Sequence, residues 1–179
     1  LVKFRVDSLD KCEKLLESTR IGEYLVLADD FKTRFGLKFT PIDIEMYDNS
    51  HTAGDCQVSA LVRYTNGKKN TSEYRKFNIK TVEGPDDYAS FDEVLRRRFT
   101  RLLKERGKLP DMVVIDGGKG QLGVAVQVLA DLGLTDEIPV ASLAKKFEEV
   151  FVPGRQEPII IPRGSEALFM LQRVRDEAH

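Results

Sequence analysis

The sequence lacks an excess of charge of one sign, a cysteine framework and a long apolar run. Its 28 basic and 29 acidic residues leave a formal net charge of −1, so nucleic acid would have to bind local basic patches. The two cysteines, Cys12 and Cys56, form no C-x-x-C motif, which favours a reducing, cytoplasmic setting. Since no apolar run approaches about 18 residues, the sequence predicts no membrane span, and no signal-peptide pattern opens it.

Apart from these absences, the composition is that of an ordinary globular domain. Hydrophobic residues make up 41% and charged residues 32% of 179 residues, enough for one domain with a real core. The chain opens on Leu1 without an initiator methionine and stops at His179 inside a helical pattern. We therefore expect a fragment of a longer protein.

Hydrophobic periodicity predicts helices and strands in a mixed order. The predicted strands cover 42–48, 56–64, 71–79, 112–116 and 139–144, and a hairpin follows around Pro153-Gly154. The predicted helices cover 8–20, a segment opened by a Ser90–Glu93 capping box and stopped at Gly107, a segment closing at Gly133, and a last segment opened by Ser165. Asn66-Gly67 indicates a tight turn between the second and third strands.

The strand order predicts the topology of the sheet. Short turns join the first three strands, so these should form an antiparallel meander. The fourth strand follows a helical crossover and should lie parallel to the first. We expect an α/β fold with a mixed five-stranded sheet, in which strands four and five are parallel, flanked by helices. Residues 41–179 would form this domain, and residues 1–40 would be a helical lead-in segment.

Two aspartates break the apolar pattern of their strands. Asp48 shares the parity of Ile44 and Met46, and Asp116 ends the apolar run that begins at Met112. If the two strands are neighbours about 4.8 Å apart, the carboxylates would repel each other unless a cation lies between them. Oxygen ligands with room for water and phosphate suit Mg²⁺ or Mn²⁺. The alternative is that both are ordinary turn-forming or helix-capping residues.

The segment "DGGKGQ" after the fourth strand indicates a backbone that a phosphate could approach. It lacks the Walker spacing, so a P-loop is not predicted. Gly117 and Gly118 would allow close approach because they carry no Cβ. Lys119 either contacts a phosphate or is simply solvated.

Several long motifs resemble one family. The segments "YDNSHTAG", "SEYRKFNIKTVEGPDDYASFDEVLRRRFTRLL", "LPDMVVIDGGKGQL", "LAKKFEEVFVPG" and "MLQRVRDEAH" follow each other in the order found in the C-terminal endonuclease domain of the UvrC family. The resemblance covers about 42–179. It implies an RNase H-like fold and a metal-dependent endonuclease, using Mg²⁺ or Mn²⁺, that cuts damaged double-stranded DNA on the 5′ side of a lesion in bacterial nucleotide excision repair. It also implies UvrB as a partner, through a region outside this chain.

The resemblance also implies site residues. The family's Asp–Asp–His triad falls on Asp48, Asp116 and His179. His179 would either ligate the metal or move a proton near the scissile phosphate. His51 lies in the first motif outside the triad, and we expect either a supporting role in orienting the Asp48 loop or no direct role.

Basic residues are the candidate DNA contacts, through phosphates rather than bases. The alternative for the helical run that includes Arg98 is a solvated face. The candidates are Arg96, Arg97 and Arg101 on one helix, and Lys119, Lys145, Arg155 and Arg163 on loops. Two other functions stay open: a catalytically silent domain that docks DNA or protein, and a phosphotransfer domain with a nucleophilic aspartate.

Overall fold

A computed structural model describes residues 29, 32–39, 41–51, 57–84, 86–144, 149–163 and 166–179. The predicted helix over 8–20, with Cys12, lies outside these residues, as do Cys56 and Lys145. For His51 only the backbone is described. Among the described helices, none is long and apolar enough to cross a membrane.

The described residues form one sheet with helices on both faces. In chain order the elements are β1 (Asp43–His51), β2 (Gln57–Thr65), β3 (Lys68–Lys69), a 3₁₀ turn (Thr71–Glu73), β4 (Arg75–Asn78), α1 (Asp87–Glu105), β5 (Met112–Asp116), α2 (Lys119–Asp131), β6 (Val140–Ala144), β7 (Glu149–Phe151), β8 (Ile159–Ile160) and α3 (Glu166–Ala178).

The sheet has the predicted core topology but more strands. Its order is β3-β2-β1-β5-β6-β7-β8, with β4 also beside β2. The antiparallel β1–β2 pair and the parallel β1–β5 and β5–β6 pairs confirm the prediction. The count of five strands was wrong, because the hairpin around Pro153-Gly154 joins the same sheet as β7 and β8, and the short β3 pairs with β2.

The third predicted strand, 71–79, is a strand only over β4, because its first residues form the 3₁₀ turn and the short β3 lies before it. Asn66 and Gly67 adopt the positive φ values of 51° and 72° expected of a tight turn, and β3 follows. The hydroxyl of Ser72 then donates to the side chain of Asn70 at 2.8 Å. The backbone N–H of Glu73 donates to the Asn70 carbonyl at 3.1 Å, and these groups form a 3₁₀ turn between β3 and β4 instead of pairing with a neighbouring strand.

Helix α1 begins one turn before the predicted capping box. The Asp86 carboxylate accepts a hydrogen bond from the backbone N–H of Ala89 at 3.0 Å and caps the helix. Glu93, the expected partner of Ser90, instead accepts from the backbone N–H groups of Lys80 and Thr81. Burial raises the pKa of Glu93, but these hydrogen bonds outweigh it and leave the pKa below its usual value.

The core lies in two layers, one on each face of the sheet. Helix α3 covers the face that carries Ile44, Met46 and Val114. Helices α1 and α2 cover the opposite face, which carries Tyr47 and Ile115. The run "MVVID" is continuous in apolar residues because all of β5 is buried. Leu103, an apolar residue of α1, is 42% exposed.

A buried charge network ties the α1 face together. Glu45 is fully buried and accepts from Arg98 at 2.7 Å, from Arg63 at 3.3 Å and from the Tyr47 hydroxyl at 2.8 Å. Burial, reinforced by the Glu45 charge, raises the pKa of Tyr47. Arg98 therefore belongs to the core and not to a solvated face.

The register of β1 against β5 is held at the edge where both strands begin. The Asp111 carboxylate accepts from the backbone N–H groups of Ile42 at 2.9 Å and Asp43 at 2.8 Å. The Asp111 N–H donates in turn to the Asp43 carbonyl at 2.8 Å. This clamp aligns Ile44 with Met112, and every later pair follows from it.

Replacing Asp111 with alanine should lower the free energy of unfolding by about 3 kcal/mol, since two charge-assisted hydrogen bonds are lost. Urea denaturation measures this. The matched control is Asp136→Ala, an exposed position, which should change stability by less than about 0.5 kcal/mol. Equal effects of the two substitutions would contradict the clamp.

Candidate metal-binding active site

Asp48 and Asp116 lie side by side where the pairing of β1 with β5 ends; β1 itself continues to His51, beyond the predicted end at residue 48. Tyr47 pairs with Ile115, so the next residue of each strand stands at the same level. Asp48 is 3% and Asp116 7% exposed, and both share the face covered by α3. Two carboxylates this close repel each other, and a divalent cation between them would offset the repulsion.

Hydrogen bonds hold β1 in place at Asp48 and Asn49. The Ser59 hydroxyl donates to the Asp48 carbonyl at 3.3 Å. The Asn49 side chain points to the other face and donates to the Asp87 carbonyl at 3.4 Å, joining β1 to the start of α1. Asp48 is therefore held by its backbone, and its carboxylate is directed to the α3 face of the sheet.

His179 reaches the pair from the end of α3. The helix packs on the sheet through Leu168, Leu171 and Val174, and the His179 N–H donates to the Arg175 carbonyl at 3.0 Å. The His179 Nδ1 lies 3.0 Å from Asp48 Oδ2, and the imidazole side chain is 70% exposed. The structure thus brings all three residues of the predicted triad together.

The last turn of α3 is anchored to β2 and β3. Lys69 forms an ion pair with Glu177, and the Tyr64 hydroxyl donates to the Arg173 carbonyl at 3.4 Å. Burial, with the nearby Glu177 charge, raises the pKa of Tyr64. These contacts hold the helix end that presents His179.

The donor set fits a divalent ion. One ligand atom each from Asp48, Asp116 and His179 all lie within 4.8 Å of one another. Around an octahedral ion with bonds of about 2.1 Å, adjacent ligands stand about 3.0 Å apart and opposite ones about 4.2 Å. The Asp48–His179 contact already has the adjacent spacing, so the three side chains need only small shifts. Two carboxylates and one imidazole suit Mg²⁺ or Mn²⁺, and the nitrogen favours Mn²⁺.

The two glycines after Asp116 start helix α2. Gly117 donates its N–H to the Leu143 carbonyl at 3.1 Å, and Gly118 donates to the Gln121 side chain at 3.0 Å. A Cβ on Gly117 would come within 2.8 Å of the Gln121 side chain. Close packing against Gln121 therefore explains the absence of a side chain at Gly117. A contact between these glycines and substrate stays a prediction.

The basic residues of α1 are on the far face of the sheet. Arg96 pairs with Asp92 and Asp131, each at 2.7 Å. Arg97 pairs with Glu93 and lies 5.4 Å above the Phe77 ring, and Arg101 pairs with Glu105 at 2.9 Å; α1 itself covers the face opposite the two aspartates. The structure does not bring these arginines to the acids, and their DNA contacts stay a prediction.

The loop cations are spread over the molecule. Lys119 follows the Gly pair, and its Nζ lies 3.5 Å from the Gln156 carbonyl. Arg163 is exposed in the turn before α3. Arg155 lines a cleft of about 670 Å³ together with Met112 and Val140, the first residues of β5 and β6. That cleft is at the opposite sheet edge from Asp116.

Sequence patterns did not identify Asn49, Lys69 or Glu177 as supports of the site. Asn49 has a local signal, since it directly follows Asp48 in the same motif. The Lys69–Glu177 pair joins residues that are remote in the chain, and no periodicity connects them.

Comparison with known proteins agrees with the motifs. Residues 32–179 match the family described as the UvrC RNase H endonuclease domain. UvrABC system protein C of Porphyromonas gingivalis strain W83 is 41% identical over 179 residues, which is 100% of this chain and 29% of that protein. Its counterpart in Chlorobium chlorochromatii is 52% identical over 139 residues, 78% of this chain and 22% of that protein.

The chain therefore spans less than a third of the length of these relatives. Among solved structures, Ciona intestinalis endonuclease V in complex with inosine-containing DNA matches with a TM-score of 0.45 and 15% identity, covering 88% of this chain and 66% of that one. That similarity is too distant to bear on function. Since the family match covers most of the chain, and the strand order is the RNase H-like one expected from the motifs, the chain belongs to the family of UvrC RNase H endonuclease domains.

Proposed function

We propose that this chain is the metal-dependent nuclease domain that cuts a DNA strand on the 5′ side of a lesion in bacterial nucleotide excision repair. The observation that carries the proposal is the convergence of Asp48, Asp116 and His179 at one edge of the sheet. Residues 41–179 would form the domain, and residues 1–40 would lead into it. We place the protein in the cytoplasm, where it would act on damaged duplex DNA together with UvrB.

Asp48 and Asp116 would hold Mg²⁺ or Mn²⁺, with His179 beside them. When bound, such an ion supplies Lewis-acid chemistry: it lowers the pKa of water and offsets charge on a phosphodiester. The two aspartates would supply the anionic oxygens that hold the ion. Their position would determine where the scissile phosphate binds. Their burial keeps bulk water from competing for the same oxygens.

Asp48 would also orient the imidazole of His179. With Nδ1 directed to the Asp48 carboxylate, Nε2 is the ring nitrogen that can hold or move a proton beside the scissile phosphate. Alternatively, His179 ligates the ion directly. Both roles need the end of α3 to stay docked, which the Lys69–Glu177 pair supports.

Contacts to phosphates would supply affinity without reading bases, which suits a nuclease that must accept many sequences around a lesion. The candidates for these contacts remain Lys119, Lys145, Arg155 and Arg163, with Arg96, Arg97 and Arg101. Lys119 follows Asp116 most closely in the chain, and we rank it first. His51, Gly117 and Gly118 would support the loops around the acids.

Asp48→Asn and Asp116→Asn should each weaken Mn²⁺ binding by at least about 100-fold. Loss of a residue that only contacts a metal ligand already costs up to about 100-fold in metal affinity, and these substitutions change the ligands themselves. Isothermal titration of Mn²⁺ into the full chain measures this. Both variants should also abolish nicking of a lesion-containing duplex.

The matched control is Asp136→Asn, an exposed aspartate away from the site, which should bind Mn²⁺ as the unchanged chain does. Mn²⁺ binding that survives both site substitutions would contradict the metal centre. If the same substitutions in the full-length protein left nicking intact, this chain would be a silent docking domain and the cutting would be done by another part of the protein. A covalent phosphoryl group on either aspartate would favour phosphotransfer.

His179→Ala should lower nicking by about 100-fold or more, since a proton-transfer group is typically worth that factor. We expect Mn²⁺ affinity to fall about tenfold as well, because the three donors converge on one point. Titration and single-turnover nicking, measured on the same preparation, separate the two roles of His179. Unchanged Mn²⁺ affinity with lost nicking assigns proton transfer, and unchanged nicking would remove His179 from the site.

A further inference from the structure

Helix α3 covers only part of its sheet face. The rows that contain Ile44 with Tyr64 and Met46 with Val62 are buried beneath it. Beyond Asp48, the described residues on the same face of β1, β2 and β4 are half-buried or exposed. We call this surface the open strip; its residues are Ser50, Val58, Ala60, Lys76 and Asn78.

Strand register places Lys76 in line with the acids. Asp48 pairs with Ala60, and Ala60 pairs with Lys76, so the three side chains share one face along one row. Asp116 extends the row on the other side of Asp48. Since strands lie about 4.8 Å apart, Lys76 starts about 10 Å from Asp48. A lysine side chain can cover much of that distance.

The Lys76 side chain is positioned to bind an anion. The ammonium is exposed, and no ion pair between described residues involves it. The three candidate arginines of α1 are different, because each pairs with a carboxylate on the far face of the sheet. Of the five residues of the open strip, Lys76 is the one that carries a charge, and that charge is positive.

The floor of the strip permits close approach of a backbone. Ala60 lies between Asp48 and Lys76 and carries only a methyl group. The Ser50 hydroxyl donates to the Val58 carbonyl at 3.3 Å. Within the described part of the row, a methyl group is therefore the one side chain between Asp48 and Lys76.

Resting on the proposed nuclease function, we propose that the cut DNA strand lies across the open strip and that Lys76 contacts a phosphate next to the scissile one. This contact sets the direction in which the strand leaves the acids, over β2 and β4. It reads no base, so it holds for any sequence.

The test measures binding of a short DNA duplex to the full chain, with Ca²⁺ in place of Mn²⁺, as a function of salt. Each phosphate contact contributes about 0.9 to the slope of log K against log salt on duplex DNA. Lys76→Ala should lower the slope by about 1, and Lys76→Arg should restore it. The matched control is Lys104→Ala, an exposed lysine on α1 that should leave the slope unchanged.

An equal slope for Lys76→Ala and the unchanged chain overturns the inference. An equal fall of the slope in Lys76→Ala and Lys104→Ala also overturns it, because net charge alone would then explain the fall. The absence of salt-dependent binding by the unchanged chain overturns it as well. Mn²⁺ affinity should be the same in Lys76→Ala as in the unchanged chain. Loss of the metal site would instead appear as failure of the unchanged chain to bind Mn²⁺, which tests the proposed function separately.

Discussion

The parallel pairing of β1 with β5 is the constraint on which the site depends. Asp111 clamps the start of β1 through two backbone N–H groups, and the register that follows ends with Asp48 level with Asp116. A slip of one residue would turn one of the two carboxylates to the opposite face, because side chains alternate along a strand. The clamp at one edge of the sheet thus determines the chemistry at the other.

Buried acidic residues have different partners on the two faces of the sheet. On the α1 face, Glu45 is neutralised by Arg98 and Arg63, which makes a closed structural network. On the α3 face, the described ion-pair partner of Asp48 is the imidazole of His179, which carries charge only when protonated. A permanently charged guanidinium would compete with a metal ion, whereas a neutral imidazole can join its ligands.

Local sequence patterns predicted the features that depend on residues close together in the chain. The parity of Asp48 and Asp116, the apolar run of β5 and the Asn66-Gly67 turn led to the central sheet. The predicted start of α1 was wrong because Asp86 caps the helix one turn earlier. The predicted start of the third strand was wrong because residues 71–73 form a 3₁₀ turn with local backbone hydrogen bonds. The burial of Arg98 could not be predicted, since its partner Glu45 is 53 residues away. The place of His179 came from the resemblance rather than from periodicity.

A crystal of the chain soaked in Mn²⁺ tests the central claim most directly. Anomalous density should show an ion within about 2.3 Å of one oxygen from Asp48 and one from Asp116. The His179 ring should lie beside it, either as a ligand or in contact with Asp48. An ion bound elsewhere, with Asp48 and Asp116 left without one at saturating Mn²⁺, would contradict the account.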